Sequence, residues 1–196
     1  MNNKPILIVL GEPNSVFSEL LFKAYKNKIY QKINRPLLII GSEKLLRAQM
    51  KALRYHLKIK KIKFSRNMKL NKRNINIIDE VYYFKKPFDK ISYSSENYIN
   101  RCFKIALELL KKKLVFGLIN GPISKTHFLK KKYLGITEYL SIKSNTKKKP
   151  TMLIYNPTFS VCPITTHVPL NKISKILSKK TIINDVTNID NFYKKN

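Results

Sequence analysis

The chain has 196 residues and 43% apolar content, which is enough for one or two domains with a buried core. Its 40 Lys+Arg residues against 11 Asp+Glu give a formal net charge of +29, and its two cysteines, Cys102 and Cys162, exclude a disulfide framework. The early apolar run Ile6 to Leu10 is too short for a signal peptide or a membrane span, so we expect a soluble cytoplasmic protein without membrane association.

The strong positive charge raises the possibility of nucleic-acid binding, because clustered Lys and Arg release counterions when they neutralise phosphates. Most of the basic residues are lysine, however, and Lys, Ile and Asn all have A/T-rich codons, so base composition is sufficient to explain the charge, and a functional polyanion-binding surface is the alternative. Arg, which contacts bases and phosphates in bidentate fashion, is scarce, and the basic residues are spread along the chain. We therefore expect only weak, non-specific and salt-sensitive binding to polyanions.

In the first third of the chain, buried apolar runs alternate with amphipathic segments, which predicts strands alternating with helices. Strands are predicted at 5–10 and 36–40. A helix is predicted from about Ser15, with an inward face of Val16, Leu20, Leu21 and Ala24. A second helix is predicted after an N-cap at Ser42, with an inward face of Leu45, Leu46, Met50 and Leu53.

The middle of the chain gives a weaker strand signal and a stronger helix signal. One short strand is predicted to contain Ile59, Ile62 and Phe64, and another is predicted over 75–83. A polar loop at 65–74 lies between them. A helix is predicted from Ser94/Ser95 to about 113, with Tyr98, Cys102, Ile105 and Leu109 inward. We expect Cys102 to be a small core residue.

The last part of the chain is predicted to contain a strand at 114–119, two strands at 151–155 and 159–165 joined by a turn, and helices over 169–178 and 182–193. The final helix has no strand after it, which in an alternating fold suggests a missing continuation. The predicted organisation is a first α/β lobe over 1–140 and the beginning of a truncated second lobe over 141–196.

Two predicted strand ends carry candidate ligand-binding segments, because parallel α/β sheets bind ligands at the carboxyl ends of their strands. The first is Gly11-Glu12-Pro13-Asn14-Ser15, although an ordinary turn is an alternative because a phosphate cradle has more glycines. The second is Asn120-Gly121-Pro122-Ile123-Ser124-Lys125, where Gly-Pro allows close backbone approach and Lys125 offers a positive charge to an anionic substrate. The alternative for Lys125 is an ordinary surface lysine.

A third strand end, Thr165-Thr166-His167-Val168-Pro169-Leu170, places a histidine directly after an apolar run. His167 is positioned for ligand or metal contact, and the alternative is a structural histidine. A metal site needs three or more protein ligands. The other histidines, His56 and His127, lie in Lys-rich segments predicted to be helical and have no ligand spacing to His167.

Taken together, three segments resemble the 4-hydroxythreonine-4-phosphate dehydrogenase family of vitamin B6 biosynthesis. The family has Gly-Pro-x-x-Lys, Gly-His-Thr-Glu and Thr-Thr-His-x-Pro-Leu. The matching segments here begin at Gly121, Gly135 and Thr165. Gly11-Glu12-Pro13 also matches the start of the family's turn Gly-(Asp/Glu)-Pro-Ala-Gly-Ile-Gly-Pro-Glu. The order and spacing of the motifs make the resemblance specific, and it extends over essentially the whole chain.

The resemblance implies an isocitrate/isopropylmalate-dehydrogenase-like three-layer α/β/α fold of two lobes, with the second lobe truncated here, and a homodimer. It implies oxidation of a small phosphorylated amino acid, 4-(phosphooxy)-L-threonine, with NAD at a divalent metal (Zn, Mg or Co) held by three histidines. By the same resemblance His167 is a metal ligand and Thr137 contacts the substrate. Lys125 is a further candidate for substrate binding.

The chain also departs from the family pattern. Ile136 stands where the family has a substrate-binding His, and the later glycines of the opening turn are replaced by Asn14-Ser15-Val16-Phe17-Ser18. The other two metal histidines and most NAD contacts belong to a portion that this sequence lacks. The leading hypothesis is the N-terminal part of the dehydrogenase, inactive without a complementing C-terminal half. The alternatives are a non-catalytic remnant or binding module and, less favoured, a basic nucleic-acid-binding protein.

Overall fold

The computed structural model describes residues 4–27, 30, 32–63, 65, 68–130, 132–146, 150–166 and 168–195. The chain divides by compactness into two units, Met1–Tyr133 and Leu134–Asn196, which are described separately below. The assignment of 1–140 and 141–196 to two lobes of one fold stays a prediction. No helix in the described ranges is both long enough and apolar enough to cross a membrane.

The first unit contains a five-stranded parallel sheet in the order β3-β4-β2-β1-β5. Ile8 of β1 lies opposite Ile39 of β2 on one side and Ile119 of β5 on the other. The predicted α/β fold class is therefore confirmed. The strands are β1 (Ile6–Val9), β2 (Leu37–Gly41), β3 (Ile59–Lys61), β4 (Ile75–Asp79) and β5 (Gly117–Asn120).

Three helices of the first unit cover the two faces of this sheet: α1 (Phe17–Lys26), α2 (Glu43–Ala52) and α3 (Glu96–Lys111). Ile8, Ile39 and Ile77 of the strands form one apolar cluster with Phe22 of α1 and Leu46 of α2. The next residues along the strands face the opposite way because side chains alternate. There α3 packs on β1, β2 and β5. The arrangement is three layers, α/β/α.

The inward face of α1 differs from the prediction. The buried residues follow i, i+3, i+4 and i+7 spacing, whereas Val16 and Leu20 are exposed, as is Ala24. The orientation of the helix about its axis buries the larger aromatic side chains Phe22 and Tyr25, because their burial removes more apolar area from water. Only Leu21 of the predicted face is buried. The observed inward face is Ser18, Leu21, Phe22 and Tyr25.

The starts of α2 and the core of α3 confirm their predictions. The Ser42 hydroxyl caps α2 by accepting from the Leu45 N–H at 3.3 Å. Cys102 is buried on the inner face of α3, and burial raises the pKa of its thiol to about 12, as expected for a core residue. Both helices end without glycine, in left-handed residues Arg54 (φ 56°) and Lys113 (φ 54°).

Several strand boundaries differ from those predicted. β4 ends at Asp79 rather than at 83, since the last backbone bond to β2 is from the Glu80 N–H to the Gly41 carbonyl at 2.9 Å. The Asp79 carboxylate accepts from the Glu43 N–H of α2 at 2.9 Å. β5 begins at Gly117 rather than at 114, since the Leu114 N–H still closes the end of α3 on the Leu109 carbonyl at 3.1 Å. β3 covers only Ile59–Lys61, and Phe64 lies outside the described residues.

In the second unit the two strands predicted at 151–155 and 159–165 are wrong. Among the described residues this segment forms a single antiparallel bridge, with hydrogen bonds of 2.8 and 2.9 Å between Ile154 and Val161. Ile154, Tyr155 and Phe159 are all exposed. An apolar alternation becomes a strand only where a neighbouring strand or helix buries one face, and the described residues supply none to these side chains.

The helices of the second unit are α4 (Ile136–Lys143), α5 (Ile173–Ile176) and α6 (Lys179–Lys195). The helix α4 was not predicted. The predicted helix over 169–178 is reduced to a 3-10 turn, Leu170–Lys172, followed by α5. The predicted helix over 182–193 is confirmed by α6. Buried Asp185 of α6 accepts from the Thr151 hydroxyl at 2.7 Å and ties the two segments together.

Candidate active site

The carboxyl ends of β1 and β5 meet in a close backbone crossing. The Glu12 N–H donates to the Pro122 carbonyl at 2.8 Å, and the Gly121 N–H donates to the Val9 carbonyl at 2.7 Å. A Cβ atom on Gly11, which has φ +73°, would lie 2.3 Å from the Pro122 oxygen. A Cβ atom on Gly121 would lie 2.2 Å from the Leu10 oxygen. Two of the three segments singled out in the sequence are thus brought together, and glycine is required at both.

The opening turn from Gly11 to Phe17 uses its own oxygen atoms as acceptors for three of its backbone N–H groups. The Glu12 carboxylate accepts from the Asn14 N–H at 3.4 Å, the Glu12 carbonyl accepts from the Ser15 N–H at 3.1 Å, and the Ser15 hydroxyl accepts from the Phe17 N–H at 3.4 Å. Such N–H groups are the ones that bind phosphate when a turn leaves them free at a helix start. These three N–H groups are therefore not free to bind a phosphate.

The carboxyl group of Glu12 is buried beside the start of α3, with only 2% of the residue exposed. Its Oε2 accepts from the Ser95 hydroxyl at 2.8 Å. Burial raises the pKa of Glu12, while the hydrogen bonds from Ser95 and Asn14 and the proximity of His127 act in the opposite direction. This carboxyl group connects the opening turn, which leads into α1, to the start of α3, which packs on the other face of the sheet.

We expect the free energy of unfolding of Glu12→Gln, relative to that of the unchanged chain, to increase as the pH rises. The raised pKa means that the unfolded chain loses the Glu12 proton first, so the contribution of Glu12 to stability falls as the pH rises above the ordinary carboxyl pKa of 4.5 and levels off above the folded pKa. A Gln amide can still accept from Asn14 and donate to the Ser95 oxygen. Urea unfolding at pH 4 and pH 7 measures the effect.

The control for this prediction is Glu12→Ala, which removes the hydrogen bonds at every pH and is expected to be destabilising throughout. A difference between Glu12→Gln and the unchanged chain that stays constant from pH 4 to pH 7 would contradict the raised pKa.

A loop from 80 to 92 leads from β4 to α3 and is held to the opening turn by two amide side chains. Asn14 donates to the Lys90 carbonyl at 3.3 Å and accepts from the Asp89 N–H at 3.2 Å. Gln49 of α2 donates to the Pro13 carbonyl at 2.7 Å and to the Pro87 carbonyl at 2.9 Å. The cavity beside this loop has a volume of about 430 Å³ and is lined by Asn14, Tyr82, Tyr83, Phe84, Lys85, Asp89, Lys90, Ser92 and Ser94.

We expect Gln49→Leu to lower the free energy of unfolding by about 1–3 kcal/mol, because it leaves two carbonyl groups without their amide donor at nearly constant volume. Amide hydrogen exchange over residues 84–92 should accelerate in the same variant. The matched control is Lys51→Gln, an exposed change on the same helix. Equal exchange in the two variants would show that Gln49 does not hold the loop.

Lys125 is exposed at the first position of a π-helical turn, Lys125–Leu129, which follows the β1–β5 crossing. The Ser124 hydroxyl accepts from the His127 N–H at 3.1 Å and lies 2.9 Å from its Nδ1. His127 therefore lies in a helical segment, as predicted, whereas His56 follows α2 in non-helical backbone, so the helical prediction is wrong for His56. The substrate-binding role of Lys125 stays a prediction.

Ile136 and Thr137 open α4 in the second unit, after the N-cap Gly135, and both side chains are half-buried. The Oε2 atom of the neighbouring Glu138 is buried, with no hydrogen-bond partner among the described residues. An aliphatic Ile136 side chain supplies neither a hydrogen bond nor a charge at this position. The role of Thr137 in substrate contact stays a prediction.

The predicted metal ligand His167 lies outside the described residues. Within the part of the chain that the structure does describe, no group of three or more His, Cys, Asp and Glu side chains could hold a metal ion. These residues alone do not fit a complete metal shell, and the assignment of His167 as one ligand stays a prediction.

The sequence model of the family described as "Pyridoxal phosphate biosynthetic protein PdxA" matches residues 32–196, which is most of the chain. The chain belongs to this family. The match includes the segments at Gly121, Gly135 and Thr165, and it confirms the resemblance seen in the sequence.

Several relatives of the family align over nearly the whole chain. It is 32% identical over 192 residues to a 4-hydroxythreonine-4-phosphate dehydrogenase of Sulfurihydrogenibium sp., covering 96% of this chain and 58% of the relative. It is 24% identical over 200 residues to a D-threonate 4-phosphate dehydrogenase of Salmonella typhimurium, covering 100% of this chain and 60% of the relative. The chain thus spans little more than half the length of these relatives.

Solved structures support the same fold. A 4-hydroxythreonine-4-phosphate dehydrogenase from Klebsiella pneumoniae superposes with a TM-score of 0.83 at 21% identity, covering 97% of this chain and 59% of that one. The enzyme from Burkholderia phymatum superposes with a TM-score of 0.82 at 20% identity, covering 94% and 56% respectively. At these identities the likeness establishes the fold.

Proposed function

We propose that this chain is the N-terminal part of an NAD-dependent dehydrogenase that oxidises 4-(phosphooxy)-L-threonine in pyridoxal 5'-phosphate biosynthesis, in the cytoplasm. The observation that carries the proposal is the family match over 32–196, which contains three family motifs in order. The glycine crossing of β1 and β5 supports it, because it places two motif segments at the carboxyl edge of a parallel sheet.

The names of the relatives point to two related substrates, 4-hydroxythreonine-4-phosphate and D-threonate 4-phosphate. Both are phosphorylated four-carbon hydroxy acids, and they differ in an amino or a hydroxyl group next to the carboxylate. We favour the amino acid because the relative at 32% identity carries that name, whereas the D-threonate 4-phosphate dehydrogenase is 24% identical.

In this proposal the chain contributes substrate binding. The Thr137 hydroxyl contacts the substrate, and the Lys125 ammonium group attracts its anionic end. Ile136 removes the donor that the family's His provides, which weakens binding. His167 supplies one ligand of a divalent metal.

Hydride acceptance is the chemistry that NAD supplies when it is bound. The opening turn of this chain has three of its N–H groups engaged internally, and the described residues do not complete a metal shell. We therefore assign the cofactor contacts and the remaining metal ligands to a complementing C-terminal half, and we propose that the chain is inactive without it. A homodimer is the alternative assembly.

The second candidate function is a non-catalytic remnant or binding module of the same fold. Two observations favour it: the aliphatic Ile136 at the start of α4, and the opening turn, in which Glu12 and Ser15 satisfy three N–H groups. Both changes reduce the polar groups available to a phosphorylated substrate.

The test is NAD reduction with 4-(phosphooxy)-L-threonine, followed by absorbance. We expect no activity from the chain alone and activity after addition of a separately produced C-terminal segment of the Sulfurihydrogenibium relative. His167→Ala should abolish that activity, and Ile136→His should increase it. An assembled complex that stays inactive even with Ile136→His supports the remnant instead.

A further inference from the structure

One stretch of the first unit carries positive charge without any acidic residue. Basic residues occur along the whole chain, but residues 44–78 contain 12 Lys and Arg and no Asp or Glu. Four of the six Arg residues of the chain lie in this stretch, at positions 47, 54, 66 and 73. Drift toward A/T-rich codons raises the lysine content everywhere, and it does not concentrate arginine in one segment. The charge of residues 44–78 therefore has a cause of its own.

The outer face of α2 carries a row of these cations. Lys44, Arg47 and Lys51 are spaced by three and four residues, which places them on one side of the helix, and all three are exposed. Arg54 follows directly after the helix and is also exposed. At 1.5 Å per residue, the three helical cations lie about 4.5–6 Å apart along the helix axis. The α2 row therefore presents positive charge at short, regular intervals.

The α2 row continues onto the edge strand β3. The Arg47 guanidinium donates to the Ile59 carbonyl at 3.2 Å, so the outer face of α2 lies beside this strand. Lys58, Lys60 and Lys63, in and next to β3, are exposed. Together with the α2 row, these three lysines form what we call the basic surface.

The acidic residues that border this segment are already paired. Glu43 forms an ion pair with Arg47 and Asp79 forms one with Lys61, each at 2.7 Å. Lysines on an edge strand deter pairing with another strand, which accounts for the charge of β3 but not for the row on α2. Cations gathered on one side of two adjacent elements are typical of a surface that binds a polyanion.

We propose that the basic surface binds the phosphate backbone of duplex nucleic acid without reading its sequence. Each strand of a duplex presents a phosphate about every 3.4 Å along the axis, so its backbone meets several cations of the α2 row at once. Proteins that bind single strands stack the bases on exposed aromatic rings. Tyr55, beside Arg54, is instead half-buried against Phe22, with ring centroids 5.4 Å apart. This binding is independent of the dehydrogenase chemistry proposed above.

The test measures binding of the full chain to a short fluorescent DNA duplex by anisotropy at several salt concentrations. The test variant combines Lys58→Gln, Lys60→Gln and Lys63→Gln. We expect it to bind about tenfold or more weakly at low salt, with a slope of log K against log salt that is shallower by about 2–3. The matched control removes the same charge from exposed positions at α3 and should bind within about twofold of the unchanged chain. It combines Lys104→Gln, Lys111→Gln and Lys112→Gln.

Circular dichroism establishes that each variant is folded before binding is measured, and a second duplex of unrelated sequence should bind equally well. Equal losses in the two triple variants would overturn the proposal, because total charge rather than location would then determine binding. Tighter binding to the single strand, or no binding to the duplex at low salt, would do the same. Stronger binding to phosphatidylserine vesicles than to the duplex, abolished in the Lys58, Lys60 and Lys63 variant, would assign the surface to a membrane instead.

Discussion

Gly121→Ala is expected to lower the free energy of unfolding by about 3–5 kcal/mol or to prevent folding of the first unit. The added Cβ atom would lie 2.2 Å from the Leu10 carbonyl oxygen and 2.7 Å from its carbon. Both are backbone atoms, so no side-chain rotation relieves the overlap. Separating the two segments would also break the 2.7 Å hydrogen bond from Gly121 to Val9.

The matched control is Gly117→Ala, four residues earlier in β5, where the added methyl group meets open space. We expect that variant to be neutral or slightly more stable, within about 1 kcal/mol, because alanine restricts the unfolded chain. Urea unfolding followed by circular dichroism compares the two. If both variants unfold at the same urea concentration, the backbone crossing of β1 and β5 is not as close as described.

The second large effect is expected from Asn76→Asp in β4. Asn76 is fully buried, and its amide donates to the carbonyls of Leu37 at 3.2 Å, Asn71 at 2.9 Å and Asn74 at 3.2 Å. Its Oδ1 accepts from the Asn71 N–H at 3.1 Å. An ionised Asp would direct a carboxylate oxygen at these carbonyls, and we expect a loss of about 3 kcal/mol or more at pH 7.

The pH dependence of Asn76→Asp identifies the cause of this loss. A protonated Asp regains one donor, so part of the stability should return as the pH falls from 7 toward the unfolded Asp pKa of about 4, with no further gain below it. The control is Asn97→Asp, the same change at an exposed position in the first turn of α3, where a negative charge is favourable. A pH-independent loss at position 76 would mean that packing, not the carbonyl contacts, determines the effect.

The central strands were predictable from the sequence because strands buried on both faces are written as continuous apolar runs, and Ile6–Val9 and Leu37–Gly41 are such runs. The N-cap Ser42 was predictable for a similar reason, since its hydroxyl acts locally on the first turn of α2. In these elements the local preference and the tertiary environment agree.

The segment 151–165 was not predictable from its pattern, because alternating apolar residues say only that one face could be buried. Whether it is buried depends on a neighbour elsewhere in the fold, and Ile154 and Phe159 remain exposed here. Gln49 was overlooked at the site for another reason. Its position among Leu45, Leu46 and Leu53 places it on the inward face of α2, and a polar residue there indicates a buried hydrogen-bonding role.

The chain has few glycines, and the left-handed ends of α2 and α3 are not among the positions where it has them. Of its five glycines, Gly11, Gly41 and Gly121 occupy positions where a Cβ atom would lie closer than 3.0 Å to other atoms. Arg54 and Lys113, which have long basic side chains, adopt the left-handed backbone conformation at a cost of about 1 kcal/mol each. Long basic side chains therefore occupy two positions where the cost is conformational, whereas glycine occupies the three positions where a side chain would overlap other atoms. Replacing Arg54 or Lys113 by Gly would remove this conformational cost and is expected to raise the free energy of unfolding.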